Sequence, residues 1–239
     1  MCIRDRIFRK KDPEGSGELV DQILDATAMK GTGKWTVQVA LDLGVAVPSI
    51  AAALDARVLS SMKAERVAAS KIIATQSSSP NASQTLLADV EQALLGAKVL
   101  AYAQGMALVR AASAKYDWHI APEELARIWK GGCIIRARFL DAMRAAYRRD
   151  AGLVNLVLDP DIAALVASTE AAWRRLLGVA MAHGVPVPAM SASLAWFDAY
   201  RTADLPQNLT QAQRDAFGSH TYQRRDGDRE QSVHTDWLE

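Results

Sequence analysis

From Ala82 to about Tyr116 apolar residues return at helical intervals: Leu86, Val90, Leu94, Leu95, Leu100, Met106, Leu108 and Val109. A stretch of that length with one repeating period is a single long helix, and its apolar face has to be covered by neighbours. The rest of the chain offers them. Helical spacing recurs over Glu18 to Met29, Trp35 to Leu43, Pro48 to about Ser70, Pro122 to Gly132, Ile134 to Arg149, Ile162 to Ala182, Met190 to Tyr200 and Asn208 to Phe217. Ile50, Leu54, Val58 and Leu59 share one face of the third of these and are expected in the core. Gly96 and Gly105, inside the long helix, are expected at close helix–helix contacts. No alternating strand pattern and no repeat of about 20–50 residues is visible. The fold class is therefore all-α: a multi-helix domain with an extended C-terminal tail.

The chain reads as three regions. Residues 1–11 read as a leader: MCIRDR is short and basic and lacks the apolar segment of a secretory signal. It is expected to be foreign to the remainder of the chain, and the charged, turn-rich Ile7 to Gly17 is expected to be a loop. Residues 12–205 form the helical domain. Residues 206–239 form the tail, because Gly, Pro, Asn and Asp become denser after Leu205.

A net charge of +1 argues against a polyelectrolyte-binding surface, so no nucleic-acid partner is expected. The cluster Arg136, Arg138, Arg144, Arg148 and Arg149 reads as a solvated helix face, since Asp141 and Asp150 interleave with it. No run of about 18 apolar residues exists, so no membrane span is expected. Cys2 and Cys133 lie far apart with no metal-ligand spacing. Neither a disulfide nor a metal site is expected, and a reducing cytoplasm fits.

The densest chemistry lies in Lys30-Gly31-Thr32-Gly33-Lys34, directly before a helix. Glycines let a backbone approach a ligand closely, and a helix start offers free N–H groups to an anion. Lys30, Lys34 and, further on, Arg57 add positive charge. The alternative is a plain capped turn with Thr32 at the N-cap. Neither a Walker loop nor a dinucleotide fingerprint is present. No catalytic constellation is visible either. The tail adds Arg214 and His220 to the anion-binding inventory. Each has a plain structural alternative: Arg57 paired with Asp55, Arg214 with Asp215, His220 as a turn residue.

The string KGTGKWT, then ALDLGV, then AR-x-LSS-x-K-x-ER, resembles the C-terminal helical domain of 6-phosphogluconate dehydrogenases. QAQRDAFGSHTY at Gln211 to Tyr222 resembles the tail of the same enzymes, where the pattern runs QAQRDYFGAHTY. The resemblance covers Asp12 to Trp237, nearly the whole chain. It implies an enzyme that oxidises 6-phosphogluconate with NADP and decarboxylates it to ribulose 5-phosphate. Carried over motif by motif, Lys30 and Thr32 lie at the sugar and Arg57 contacts the phosphate. Arg214 and His220 reach into the partner subunit's site, which implies a homodimer with exchanged tails. Two departures stand out: Asp55, near Arg57, and Ala216, where the tail usually carries Tyr. The family's dinucleotide-binding domain, its catalytic lysine and its catalytic glutamate have no counterpart here. The chain therefore reads as about half of the enzyme and is expected to be inactive alone. Two alternatives remain: a helical scaffold that only dimerises, and a related 3-hydroxyacid dehydrogenase domain.

Overall fold

A computed structural model describes residues 3–28, 31–74, 78–81 and 83–237. The chain divides into two compact units, Met1–Leu194 and Ala195–Glu239. The first contains α1 (Ile3–Arg9), α2 (Gly33–Asp42), α3 (Pro48–Ser61), α4 (Lys63–Ile72), α5 (Gln84–Lys115), α6 (Pro122–Gly132), α7 (Phe139–Arg149) and α8 (Pro160–Ala182). α9 (Pro188–Tyr200) spans the division. α10 (Gln207–Gly218) and a two-residue antiparallel pair, β1 (Tyr222–Gln223) with β2 (Ser232–Val233), belong to the second unit.

The spine of the first unit is α5 packed along α8. Both helices start on side-chain caps. Ser83 Oγ accepts from Leu86 N at 3.0 Å, and Asp159 Oδ1 accepts from Asp161 N and Ile162 N. Such caps satisfy N–H groups that a helix start leaves free. Gly96 lets the two helices meet: a Cβ there would stand 2.5 Å from Thr169 Oγ1 and 2.9 Å from the fully buried Trp173 ring. Gly105 differs from expectation. Nothing lies within 4 Å of its missing Cβ, so it borders open space instead of a helix.

α2 and α3 are held to α5 by a small cluster of Ala40, Val47 and Leu108, joined by Val39, Leu43, Val45 and Ile50. A buried polar contact adds register. Gln104 Oε1, on α5, accepts from Ser49 N at 3.0 Å, near the start of α3. Ser49 Oγ in turn lies 2.6 Å from Ser193 Oγ. A buried N–H needs such a partner. These contacts fix where the N-terminus of α3 stands, and hence the helix that carries Arg57.

Several local expectations need correction. Glu18 to Met29 is not a helix: a single 3-10 turn covers Leu19–Gln22, and the chain then runs irregularly to Ala28. The segment after Pro48 is two helices, broken at Met62 (φ −82°, ψ 43°). Val58 and Leu59 on α3 are exposed, not core. α7 starts at Phe139, five residues later than periodicity indicates. α1 occupies part of the stretch read as leader and loop. The arginine cluster is largely paired. Glu123 Oε1 accepts from Arg144 and Arg148, and Arg149 forks onto the buried Asp159. Burial alone would raise the Asp159 carboxyl, but the Arg149 and cap hydrogen bonds outweigh it and hold it below its ordinary value.

A candidate anion site in two parts

Gly31 adopts φ +104°, a backbone region that L side chains rarely enter. The turn therefore needs glycine at that position. Thr32 comes next, at the N-cap position of α2, but its hydroxyl makes no cap hydrogen bond. Instead its carbonyl accepts from Thr36 Oγ1 at 3.0 Å. The plain capped turn is thus only half realised, and the Thr32 hydroxyl is left for other partners. Gly33 packs against α3, where a Cβ would meet Leu54 Cδ1 at 3.4 Å. Lys34 is exposed. Lys30 lies outside the described residues.

Arg57 extends from α3 to the chain just before this turn. Its Nη2 donates to Ala28 O at 2.6 Å. It has no carboxylate partner among the described residues, so pairing with Asp55 does not occur. The neighbouring motif residues zip the same segment down. Ser60 Oγ accepts from Thr27 N at 3.0 Å and lies 2.7 Å from Thr27 Oγ1. Lys63 Nζ donates to Asp25 Oδ1 at 2.5 Å, and Arg66 donates to Asp25 Oδ2 and to the carbonyls of Asp25 and Ser60, each at 3.0 Å. The hydrogen bond from Lys63, then that from Arg66, holds the Asp25 carboxyl down at about 2. These contacts explain why residues 23–28 are not helical. Side chains of α3 and α4 claim the backbone groups that a helix would pair internally. Sequence periodicity carries no signal for Asp25.

Thr32 and Thr36 also line a groove of about 760 Å³ bordered by Ile50, Tyr102, Gly105 and Trp129. The Tyr102 hydroxyl donates to the Ile135 carbonyl and ties the α6–α7 connection to α5. Lys98 and Arg136 stand at the same groove, both exposed and without a carboxylate partner among the described residues. Sequence reasoning misses both. Lys98 is hidden in helical periodicity, and Arg136 opens an arginine cluster of which Arg144, Arg148 and Arg149 find acidic partners.

In the second unit Arg214 lies exposed on α10 and donates from Nη1 to Gln211 Oε1 at 3.2 Å. His220 is exposed two residues beyond the end of that helix. Its ring packs over Gly218, where a Cβ would stand 2.9 Å from Cδ2 and Nε2. Asp215 does not pair with Arg214. It is fully buried and accepts from Thr221 N, His234 Nδ1, Thr235 N and Trp237 Nε1. Among the described residues no group of three or more His, Cys, Asp or Glu is placed to hold a metal.

The family model for the C-terminal domain of 6-phosphogluconate dehydrogenase matches residues 1–237. The chain belongs to this family. The match takes in residues 1–11. The chain is 53% identical over 239 residues to "6-phosphogluconate dehydrogenase, decarboxylating 1, chloroplastic" of Arabidopsis thaliana, covering 97% of this chain and 49% of that protein. It is 52% identical over 235 residues to the decarboxylating enzyme of Synechococcus elongatus, covering 97% of this chain and 50% of that one. A solved 6-phosphogluconate dehydrogenase of Plasmodium falciparum, described as apo, with NADP+ and with 6-phosphogluconate, superposes with a TM-score of 0.93. It is 40% identical and covers 98% of this chain and 50% of the other. The all-α C-terminal domain of the family is thus the fold of this chain, which spans about half the length of its relatives. No helix among the described residues is long and apolar enough to cross a membrane.

Proposed function

We propose that this chain is the substrate-binding and dimer-forming half of a decarboxylating 6-phosphogluconate dehydrogenase. The observation that carries this is the Arg57 guanidinium, exposed, unpaired with any described carboxylate and docked on Ala28 beside the glycine turn. A phosphorylated sugar acid carries roughly three negative charges near neutral pH, about −1.5 to −2 of them on the phosphate. Arg57 grips the phosphate through the free part of its fork, while Lys30 and Thr32 hold the sugar end. Arg214 and His220 complete the site from the partner subunit's tail. The arrangement is a two-fold homodimer with exchanged tails. α10 exposes Leu209 and Phe217, apolar side chains that a neighbouring subunit would cover.

NADP accepts the hydride in this reaction. The described residues include no strand–helix–strand unit suited to a dinucleotide. On this reading the cofactor and the proton-transferring residues belong to the half of the enzyme outside this sequence, and this half alone does not turn over.

Calorimetric titration with 6-phosphogluconate and with gluconate tests the proposal. Binding of the phosphorylated acid, with gluconate at least about tenfold weaker, is expected. Equal affinity for both points instead to a dehydrogenase domain for unphosphorylated acids. Binding of neither leaves a scaffold that only dimerises.

A further inference from the structure

We infer that Asp215 is a positioning residue for the tail's share of the substrate site. The inference rests on the proposed function. Asp215 comes directly after Arg214 on α10, and its side chain is 0% exposed. Oδ1 accepts from Thr221 N at 2.8 Å and from His234 Nδ1 at 2.9 Å. Oδ2 accepts from Thr235 N at 3.0 Å and from Trp237 Nε1 at 2.9 Å. Four donors from two separate segments converge on one carboxylate. None of them is a lysine or arginine, so the anion is held by dipoles and one imidazole.

The consequence falls on His220. The chain reverses between Gly218 and Thr221, and Ser219 (φ +50°) and Thr221 (φ +57°) both sit in the left-handed region. Non-glycine residues stay there only where surroundings hold them. Asp215 holds the Thr221 N–H, and Gln211 Nε2 donates to the Thr221 carbonyl at 2.6 Å. The same Gln211 accepts from Arg214. One face of α10 thereby fixes the reversal bearing His220 and the rotamer of Arg214 together. Next in sequence, the Tyr222 hydroxyl lies 2.6 Å from Thr235 Oγ1 and ties β1 to the same C-terminal segment. Asp215 touches no substrate; it sets where the Arg214 and His220 side chains stand.

An amide cannot do this. Asparagine keeps one acceptor oxygen and turns N–H groups toward donors. Titrations of 6-phosphogluconate into the full chain, at concentrations where it is dimeric, test the inference. Asp215→Asn is expected to weaken binding about tenfold. Added to Arg214→Ala/His220→Ala, it is expected to change affinity by less than about twofold, because it acts through those side chains. Trp237→Phe removes one donor with the carboxylate intact and is expected to weaken binding about threefold. Unchanged affinity in Asp215→Asn and Trp237→Phe overturns the inference. So does an equal further loss in the Arg214→Ala/His220→Ala background, which marks a general structural role. A wild-type chain that binds no 6-phosphogluconate overturns the function reading itself, and this role with it.

Discussion

Arg57 Nη2 donates to the carbonyl oxygen of Ala28 at 2.6 Å. One arm of the guanidinium is thus spent on the chain that leads into the glycine turn, and the residue is otherwise exposed with no carboxylate partner among the described residues. The hydrogen bond aims the fork and ties α3 to the turn in one step. Lysine has a single head that cannot hold the carbonyl and a phosphate in the same bidentate geometry. Arg57→Lys is expected to weaken 6-phosphogluconate binding by about tenfold and Arg57→Ala by about tenfold to a hundredfold, the range of a charge-assisted hydrogen bond or two. Calorimetry reads both, and wild-type affinity in Arg57→Ala would remove the phosphate role.

The Asp25 clasp has a defined pH response. Its carboxyl is held down at about 2 by Lys63 and Arg66, against an ordinary 3.8. A depressed acid stabilises the fold above its unfolded value and loses that contribution as pH falls through its folded value. The clasp is therefore expected to be complete above about pH 4 and to loosen between there and about pH 2. The Thr27 amide, bonded to Ser60 Oγ, reports it. At neutral pH Asp25→Asn is expected to speed Thr27 exchange up to about fivefold, as for an exposed ion pair. An acid-independent protection factor would contradict this.

Two glycines of one helix are expected to respond with opposite signs. Gly96→Ala drives a methyl group into Thr169 and Trp173 and is expected to cost about 1–3 kcal/mol. Gly105→Ala meets nothing within 4 Å and is expected to stabilise α5 by about 0.5–1 kcal/mol. Urea midpoints of the two variants separate the cases. A destabilised Gly105→Ala would mean that something fills the groove beside it.

The proposed dimer is tested on α10. Phe217 is 76% exposed and Leu209 64%. Replacing both with glutamate places charge where an apolar partner surface is expected. Sedimentation at about 10 μM is expected to show a dimer for the wild type and a monomer for the double variant, since charges are depleted at interface cores. A wild-type monomer would end the exchanged-tail arrangement.

Much of the architecture is legible along the chain because it is local. The apolar period of α5, Pro48 and Pro122 at helix starts, and the glycine turn each act within a few residues of themselves. The candidate site residues Arg57, Arg214 and His220 are likewise legible, since two motifs in order carry them. Asp25 and Lys98 are not: an acid in a loop and a lysine in a helix look alike whether or not they line a site.

By itself the sequence determined that this chain is helical, which family it belongs to and which basic side chains are candidates for the anion. Tertiary structure alone decided that residues 23–28 abandon helix for the side chains of α3 and α4. It also decided that Gly96 is crowded while Gly105 is open, and that Asp215 lies buried under four donors instead of pairing with Arg214. The physical reason is range. Periodicity and capping are settled between residues a turn or two apart, whereas burial and hydrogen-bond partnership depend on segments that the fold brings together, 33 positions apart at Thr27 with Ser60 and 41 at Asp25 with Arg66.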